Sequence, residues 1–145
     1  MRAQELMKTD VECASPKAAI QIAARKMRDL NVGFLPVCDQ SKKVLGTITD
    51  RDIAIRAVAE NRPSNTPVSE IMTREVVACR PDDDVRVAEH MMAQNHKSRI
   101  ICIDDAGCLA GVISLSDLAQ HDKGRAAQTM REVSEREVRK APLQL

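Results

Sequence analysis

Residues 35–53 read LPVCDQSKKVLGTITDRDI, and residues 99–118 read RIICIDDAGCLAGVISLSDL. Each stretch opens on a short apolar run, crosses a polar turn and returns in a second apolar run. That second run ends on a hydroxyl residue with an aspartate three positions further on: Thr49 with Asp52, and Ser114 with Asp117. Two β-strands joined by a turn and delivered into a helix account for such a pattern. The two stretches match at a constant offset of 65 residues, and the register extends upstream without a gap. Glu5 falls on Glu70, Met7 on Met72, Val11 on Val76, Pro16 on Pro81, Ala23 on Ala88 and Met27 on Met92. Within the quoted stretches Asp39 falls on Asp104, Gly46 on Gly111 and Ile48 on Ile113. A match held at one offset over that length marks a duplicated supersecondary unit.

Working outward, each repeat begins with a short extended lead-in (residues 11–14 and 76–79) followed by Ser-Pro or Arg-Pro, where proline suits the first position of a helix. Ile20, Ala23, Ala24, Met27 and Leu30 then recur at helical spacing, as do Val85, Ala88 and Met92 in the second copy, so one helix face is expected to be buried. Strands are expected at residues 34–38 and 44–49, and again at 100–103 and 109–114, with final helices starting near Asp50 and Leu115. The fold class is α+β (mixed α/β): two β-α-β-β-α repeats related by a pseudo-two-fold axis. Repeat 1 spans residues 1–60, a linker rich in Asn, Ser and Pro spans 61–67, repeat 2 spans 68–121, and a charged tail spans 122–145. A sheet this small buries little apolar area alone, so the repeats are expected to share one core, packed as one module with up to two related pockets in the cleft.

Composition narrows the function classes. At 145 residues, 43% hydrophobic and 30% charged, the chain suits a packed globular fold. A net charge of +1 leaves no basic footprint for nucleic acid or an anionic membrane, and Phe34 as the single aromatic leaves no stacking platform for bases. The N-terminal MRAQELMKTD lacks the apolar core of a secretory signal and no apolar run is long enough to span a bilayer, so a cytoplasmic protein is expected. Five cysteines (Cys13, Cys38, Cys79, Cys102, Cys108) in mostly apolar surroundings, with no CxxC, are expected to be reduced core thiols, with no metal site. Cys79 or Ser116 as nucleophile with His96 or His121 as base finds no supporting spacing, so the chain is not expected to be an enzyme.

The quoted stretches, together with GTITDRD and GVISLSD inside them, resemble the second half of the CBS domain, and the likeness covers residues 5–120 or so. It points to the small stand-alone bacterial proteins that carry a tandem pair of such domains, the Bateman module. The resemblance implies a non-catalytic regulatory module that binds an adenosyl ligand (AMP, ADP, ATP, an NAD-type dinucleotide or S-adenosylmethionine) between its repeats and signals by conformational change to an effector protein. The ligand is regulatory and no cofactor is required. Within the family's Gly-x-x-Ser/Thr-x-x-Asp motif, Asp117 and Asp52 are implied to accept hydrogen bonds from ribose hydroxyls, which suits a carboxylate with two oxygens. Ser114 and Thr49 are implied to meet phosphate at a helix N-terminus.

The favoured pocket comprises Arg99, Ser114, Ser116 and Asp117, assisted by Lys97, with Val11, Cys13 and Ser15 against the adenine. The second comprises Thr49, Arg51 and Asp52 with Val76, Ala78 and Arg80, and it ranks lower because Phe34 replaces the phosphate-binding base. Ile101 stands where the first copy has Pro36, a departure from the family pattern. Family analogy also implies a homodimer formed through helical faces. The tail is expected to be a solvated extension, with Ala126, Met130 and Val133 as a thin apolar stripe if helical. Two readings stand beside the ligand-binding one: the Thr49/Asp52 and Ser114/Asp117 pairs as simple helix caps, and the whole chain as a protein-interaction scaffold with vestigial pockets.

Overall fold

The hairpins form where the apolar runs lie. In the computed structural model, which describes residues 1–140, α1 (Ile20–Leu30) leads to β1 (Phe34–Cys38) and β2 (Val44–Thr49). These strands pair antiparallel, with Phe34 opposite Thr49 and Leu35 opposite Ile48. A short α2 (Asp50–Asp52) follows and widens at once into a π-helix over Ile53–Val58. The second repeat supplies β3 (Ala78–Cys79), α3 (Val85–Asn95), β4 (Arg99–Ile103), β5 (Leu109–Ser114), α4 (Leu115–His121) and α5 (Lys123–Lys140). Its strands lie in the order β3-β4-β5, with β3 parallel to β4. The lead-in of the first repeat forms no strand: among the described residues its pairing with β1 is a single parallel bridge, Ala14 to Val37. Four of the five residues of β1 are buried, which is why it reads as an unbroken apolar run rather than an alternating one.

The helices begin later than the prolines suggest. Both α1 and α3 start four residues beyond Pro16 and Pro81, because Ala19 (ψ 145°) and Asp84 (ψ 141°) are held extended. In the first repeat Val68 N–H donates to Ala18 O at 2.8 Å, Ser69 N–H to Pro16 O at 2.9 Å and Ile20 N–H to Thr66 O at 2.8 Å. The second repeats this trio at the same offset, with Ala3 to Asp83 O, Gln4 to Pro81 O and Val85 to Met1 O. Backbone committed to these bonds cannot also wind into a helical turn. Both helices end alike, on a left-handed residue, Asn31 or His96. Of the apolar face expected for α1, Ile20, Ala23 and Met27 are buried and Ala24 half-buried, but Leu30 in the last turn is 44% exposed.

The chain divides into two compact units that do not follow its order. One joins Met1–Val11 to Val77–Asp105 and the chain from Ala110; the other joins Glu12–Val76 to Ala106–Leu109. The single shared core expected from repeat size is therefore corrected to two buried clusters. The first gathers Ile20, Met27, Leu35, Val37 and Ile48 with Val68, Ile71 and Met72. The second gathers Val85, Met92, Ile100, Cys102, Ile113 and Leu118 with Ala3, and Leu6 and Met7 pack against it. Each unit thus completes its core with the start of the other repeat, supplying the area that 50 residues lack.

The tail is corrected as well. Helix α5 packs on α3 and α4 of its own unit, burying Ala126 and Thr129 and setting Val133 against the core, while Met130 faces outward at 58% exposure. His96 Nδ1 lies 3.1 Å from the Glu132 carbonyl. Residues 141–145 of the expected tail lie outside the described residues.

Candidate functional site

Each hairpin hands the chain to a helix through a reciprocal cap. At the second, the Ser114 side chain accepts from Asp117 N–H at 3.2 Å, while Asp117 Oδ2 accepts from Ser114 N–H at 2.8 Å and from its hydroxyl at 3.0 Å. At the first, Thr49 Oγ1 accepts from Asp52 N–H at 3.1 Å and Asp52 Oδ2 accepts from Thr49 N–H at 3.0 Å. These are capping boxes, with aspartate in place of the commoner glutamate. They show that the motif residues serve helix initiation. In each copy Oδ2 and the hydroxyl oxygen take part in the cap, as the helix-cap reading of the motif expects. Oδ1 is the carboxylate oxygen that lies outside each cap.

The surroundings of Oδ1 differ between the copies. Asp117 is only 5% exposed, and its Oδ1 lies 3.6 Å from the ammonium of Lys8, whose side chain is 71% exposed. Asp52 Oδ1 instead meets Thr73 Oγ1 at 3.4 Å and Arg56 Nε at 3.8 Å. Lys8 and Thr73 occupy equivalent positions, each following the methionine of the exchanged segment. Both are seated by paired backbone bonds: Lys8 with Val112 at 2.9 and 3.0 Å, and Thr73 with Thr47 at 2.8 and 2.9 Å. The motif glycines permit that seating. A Cβ on Gly111 would stand 2.7 Å from Lys8 O, and one on Gly46 would stand 2.5 Å from Thr73 O. The sequence reading missed Lys8, Thr73 and Arg56. Their signal was the offset itself, which aligns Lys8 with Thr73 beside the matched Met7 and Met72.

The other residues of the favoured pocket lie as follows. Leu115 N–H donates to Ser98 O at 3.0 Å, so Arg99, the first residue of β4, stands beside the start of α4. Arg99, Lys97 and Ser116 are exposed, and among the described residues neither cation's side chain forms a hydrogen bond or ion pair. Ser114 is half-buried and Val11 belongs to the same unit, whereas Cys13 and Ser15 belong to the other. Of the second set, Thr49, Arg51, Asp52 and Val76 share a unit; Ala78 and Arg80 belong to the other, where Arg80 pairs with Asp105. Arg56 donates to the carbonyls of Ile71 and Met72, both at 3.2 Å, closing that site with a residue the second repeat replaces by His121. An open, polar hollow of about 500 Å³ lined by Met1, Arg2, Gln4, Glu5, Asp82 and Asp84 includes none of these residues.

The cysteines are all free thiols, with Cys38, Cys79 and Cys102 buried and Cys13 and Cys108 half-buried. A hydrogen bond from the Cys38 thiol, helped by the charges of Lys42 and Lys26, lowers the Cys13 pKa to about 7 against the opposing effect of burial. The same contact and burial push Cys38 up. Among the described residues no group of three His, Cys, Asp or Glu side chains could hold a metal ion, and no helix is long and apolar enough to cross a membrane.

Two mixed helix-and-strand units, each ending a hairpin in a Ser/Thr–Asp cap and each completed by the leading segment of the other repeat, define a tandem-repeat module. The CBS-domain family model matches residues 3–58 and 68–124, and the chain belongs to that family. It is 42% identical over 116 residues, 80% of its length and 81% of the relative's, to the CBS domain-containing protein YhcV of Bacillus subtilis. It is similar to the CBS domain pair of MJ0100, solved in complex with 5′-methylthioadenosine and S-adenosyl-L-methionine (TM-score 0.75, 26% identity, 86% of this chain and 98% of that one). The fold is also that of the CBS domain protein PAE2072 of Pyrobaculum aerophilum, solved with AMP (TM-score 0.76, 23% identity, 90% and 99%).

Proposed function

We propose that this chain is a regulatory module that binds an adenosine-containing ligand at the Asp117 site and signals its occupancy to an effector protein, acting as a cytoplasmic homodimer without catalysis. The observation that carries the reading is a buried carboxylate with one oxygen fixed by a cap and the other turned toward an exposed cation, with two further cations near the start of α4 whose side chains pair with none of the described residues. Asp117 Oδ1 accepts a ribose hydroxyl, Arg99 and Lys97 neutralise phosphate, and Lys8 is released from Asp117 toward the ligand. The adenosyl ligands of the MJ0100 pair support this chemistry. AMP, ADP or ATP suits the cations best, since S-adenosylmethionine brings a positive sulfonium instead. The Thr49, Arg51 and Asp52 site ranks second because its carboxylate is already shared with Thr73 and Arg56. Ligand binding transmits a signal by favouring one of two arrangements of the module. Ile22 and Val87, exposed at equivalent positions of α1 and α3, support helical faces as the dimer contact, with Ile55 and Val58.

A second reading, the interaction scaffold, is favoured by the capping boxes, which account for every motif residue without a ligand. Thermal melting against millimolar AMP, ADP, ATP, NADH and S-adenosylmethionine separates the two. A ligand at a hundred times its Kd stabilises by about 2.7 kcal/mol, so the melting point rises by several degrees. No rise with any of the five leaves the scaffold.

A further inference from the structure

Cys79 of β3 lies directly opposite Cys102 of β4, with the two sulfurs 3.5 Å apart. Both residues are buried, at 4% and 0% exposure. Packing does not call for sulfur at this junction, because the other unit fills the equivalent positions with Ala14 and Val37, which also face each other across a parallel bridge. Adjacent strands run about 4.8 Å apart, inside the Cα separation of about 4.4–6.8 Å that a disulfide spans. Bonding therefore requires the sulfurs to close the remaining gap by rotation about their side chains, with the strands in place.

We propose that Cys79 and Cys102 are a reversible disulfide site, oxidised by a small peroxide and reduced by a thiol, which locks β3 to β4. Cys79 is the attacking sulfur, because a hydrogen bond from the Cys102 thiol lowers its pKa whereas the same contact and burial raise that of Cys102. Its thiolate displaces hydroxide from the peroxide, breaking the O–O bond and leaving a sulfenic acid at Cys79, and the hydroxide takes up the thiol proton as water. The Cys102 sulfur then attacks Cys79 Sγ, and the departing hydroxide leaves with the Cys102 proton as a second water. Two thiols lose two electrons to one peroxide, and one S–S bond forms. Access needs only local opening, since β3 consists of two ladder residues. The bond made is a labile one: a relaxed disulfide brings its Cβ atoms to about 3.8 Å, nearer than directly opposed residues of neighbouring strands sit, and strained bridges are the readily reduced ones. Nothing in this depends on the ligand reading.

The test uses the full chain carrying Cys108→Ser, since Cys108 shares tryptic peptide 100–123 with Cys102. After hydrogen peroxide, alkylation with iodoacetamide and digestion without reductant, the expected product is peptide 75–86 joined to peptide 100–123, two hydrogens lighter than their sum and separated by dithiothreitol. Cys79→Ala and Cys102→Val each install the residue the other unit carries there, so both should fold, with an unchanged circular dichroism spectrum, and lack the joined peptide. Recovery of both peptides alkylated, or of Cys79 as sulfinic acid, from folded protein whose Cys13 has been oxidised would overturn the proposal. So would joining that appears only after unfolding in urea.

Discussion

The two capping boxes share their reciprocal backbone-to-side-chain bonds and leave different things over. At Ser114 the first turn of α4 keeps the Ser116 N–H without a hydrogen bond among the described residues, the buried Asp117 has Lys8 as its neighbour, and Arg99 and Lys97 stand uncommitted. Both caps commit the next N–H alike, Asp50 to Gly33 O and Leu115 to Ser98 O, each at 3.0 Å, but at Thr49 the Arg51 N–H is also taken, by the Asp50 carboxylate at 2.8 Å. Arg56 and Thr73 then close Asp52 in. Duplication has thus produced one cap whose outer carboxylate oxygen is closed in by Thr73 and Arg56 of its own unit and one whose outer oxygen meets a single exposed cation, Lys8. The difference teaches that a motif shared by two repeats does not assign them a shared role; the residues around it do.

The largest effect that can break this comparison lies in the glycines, which both caps need alike. Gly46→Ala should cost about 2–3 kcal/mol in urea unfolding, because the added Cβ meets a backbone carbonyl and the paired Thr47–Thr73 bonds must part. Gly111→Ala should cost less, because the carbonyl its Cβ meets, Lys8 O, stands at 2.7 rather than 2.5 Å and its other close neighbours are atoms of the flexible Met7 side chain. Equal costs would mean that the exchanged segments are held identically. Next in size is Cys13, whose alkylation rate should reach half its maximum near pH 7 and level off above it, the thiolate being the reactive form. Cys38→Ala removes the lowering hydrogen bond, so the pKa rises and the rate at pH 7 should fall about tenfold; a rate that does not change places the activation elsewhere.

Smaller again are the cap side chains. Ser114→Ala and Thr49→Ala should each cost about 1 kcal/mol, with Ser114 the larger because its hydroxyl also donates to Asp117. The smallest difference sharpens the comparison most: Arg56→Ala should cost up to about 1 kcal/mol through its two carbonyl bonds, whereas Lys8→Ala, an exposed ion, should cost about half that or less. A Lys8 variant as damaging as the Arg56 one would make Lys8 structural and remove it from the binding site.

Much of this was legible in the residues. Both strands of the first hairpin and the second strand of the other fall where the apolar runs place them, and α2 and α4 begin at Asp50 and Leu115 as expected, because turn chemistry and hydrophobic runs are local signals. What failed was long-range. Pro16 and Pro81 looked like helix starts, yet their carbonyls are used by segments some 50 or more residues away, so the turn after each stays extended. The exchange of residues 1–11 and 66–76 between units leaves no local mark, and for that reason one core was expected where there are two. The tail looked solvated because ten of its 24 residues are charged and its apolar stripe is thin, although Ala126 and Val133 pack it on the second core. The candidate site was half legible: offset and motif pick out Asp117 and Asp52 together with their capping role, but Lys8 and Thr73, which the exchanged segments bring to Oδ1, leave no local signal.

The most direct measurement is a calorimetric titration of AMP and S-adenosylmethionine into the wild-type chain, Arg99→Ala and Arg51→Ala, neither of which disturbs a cap. The account predicts saturable binding by the wild type, an affinity for AMP about tenfold weaker in Arg99→Ala, and little change in Arg51→Ala. No heat from either compound at millimolar concentration, or a loss confined to Arg51→Ala, would contradict it.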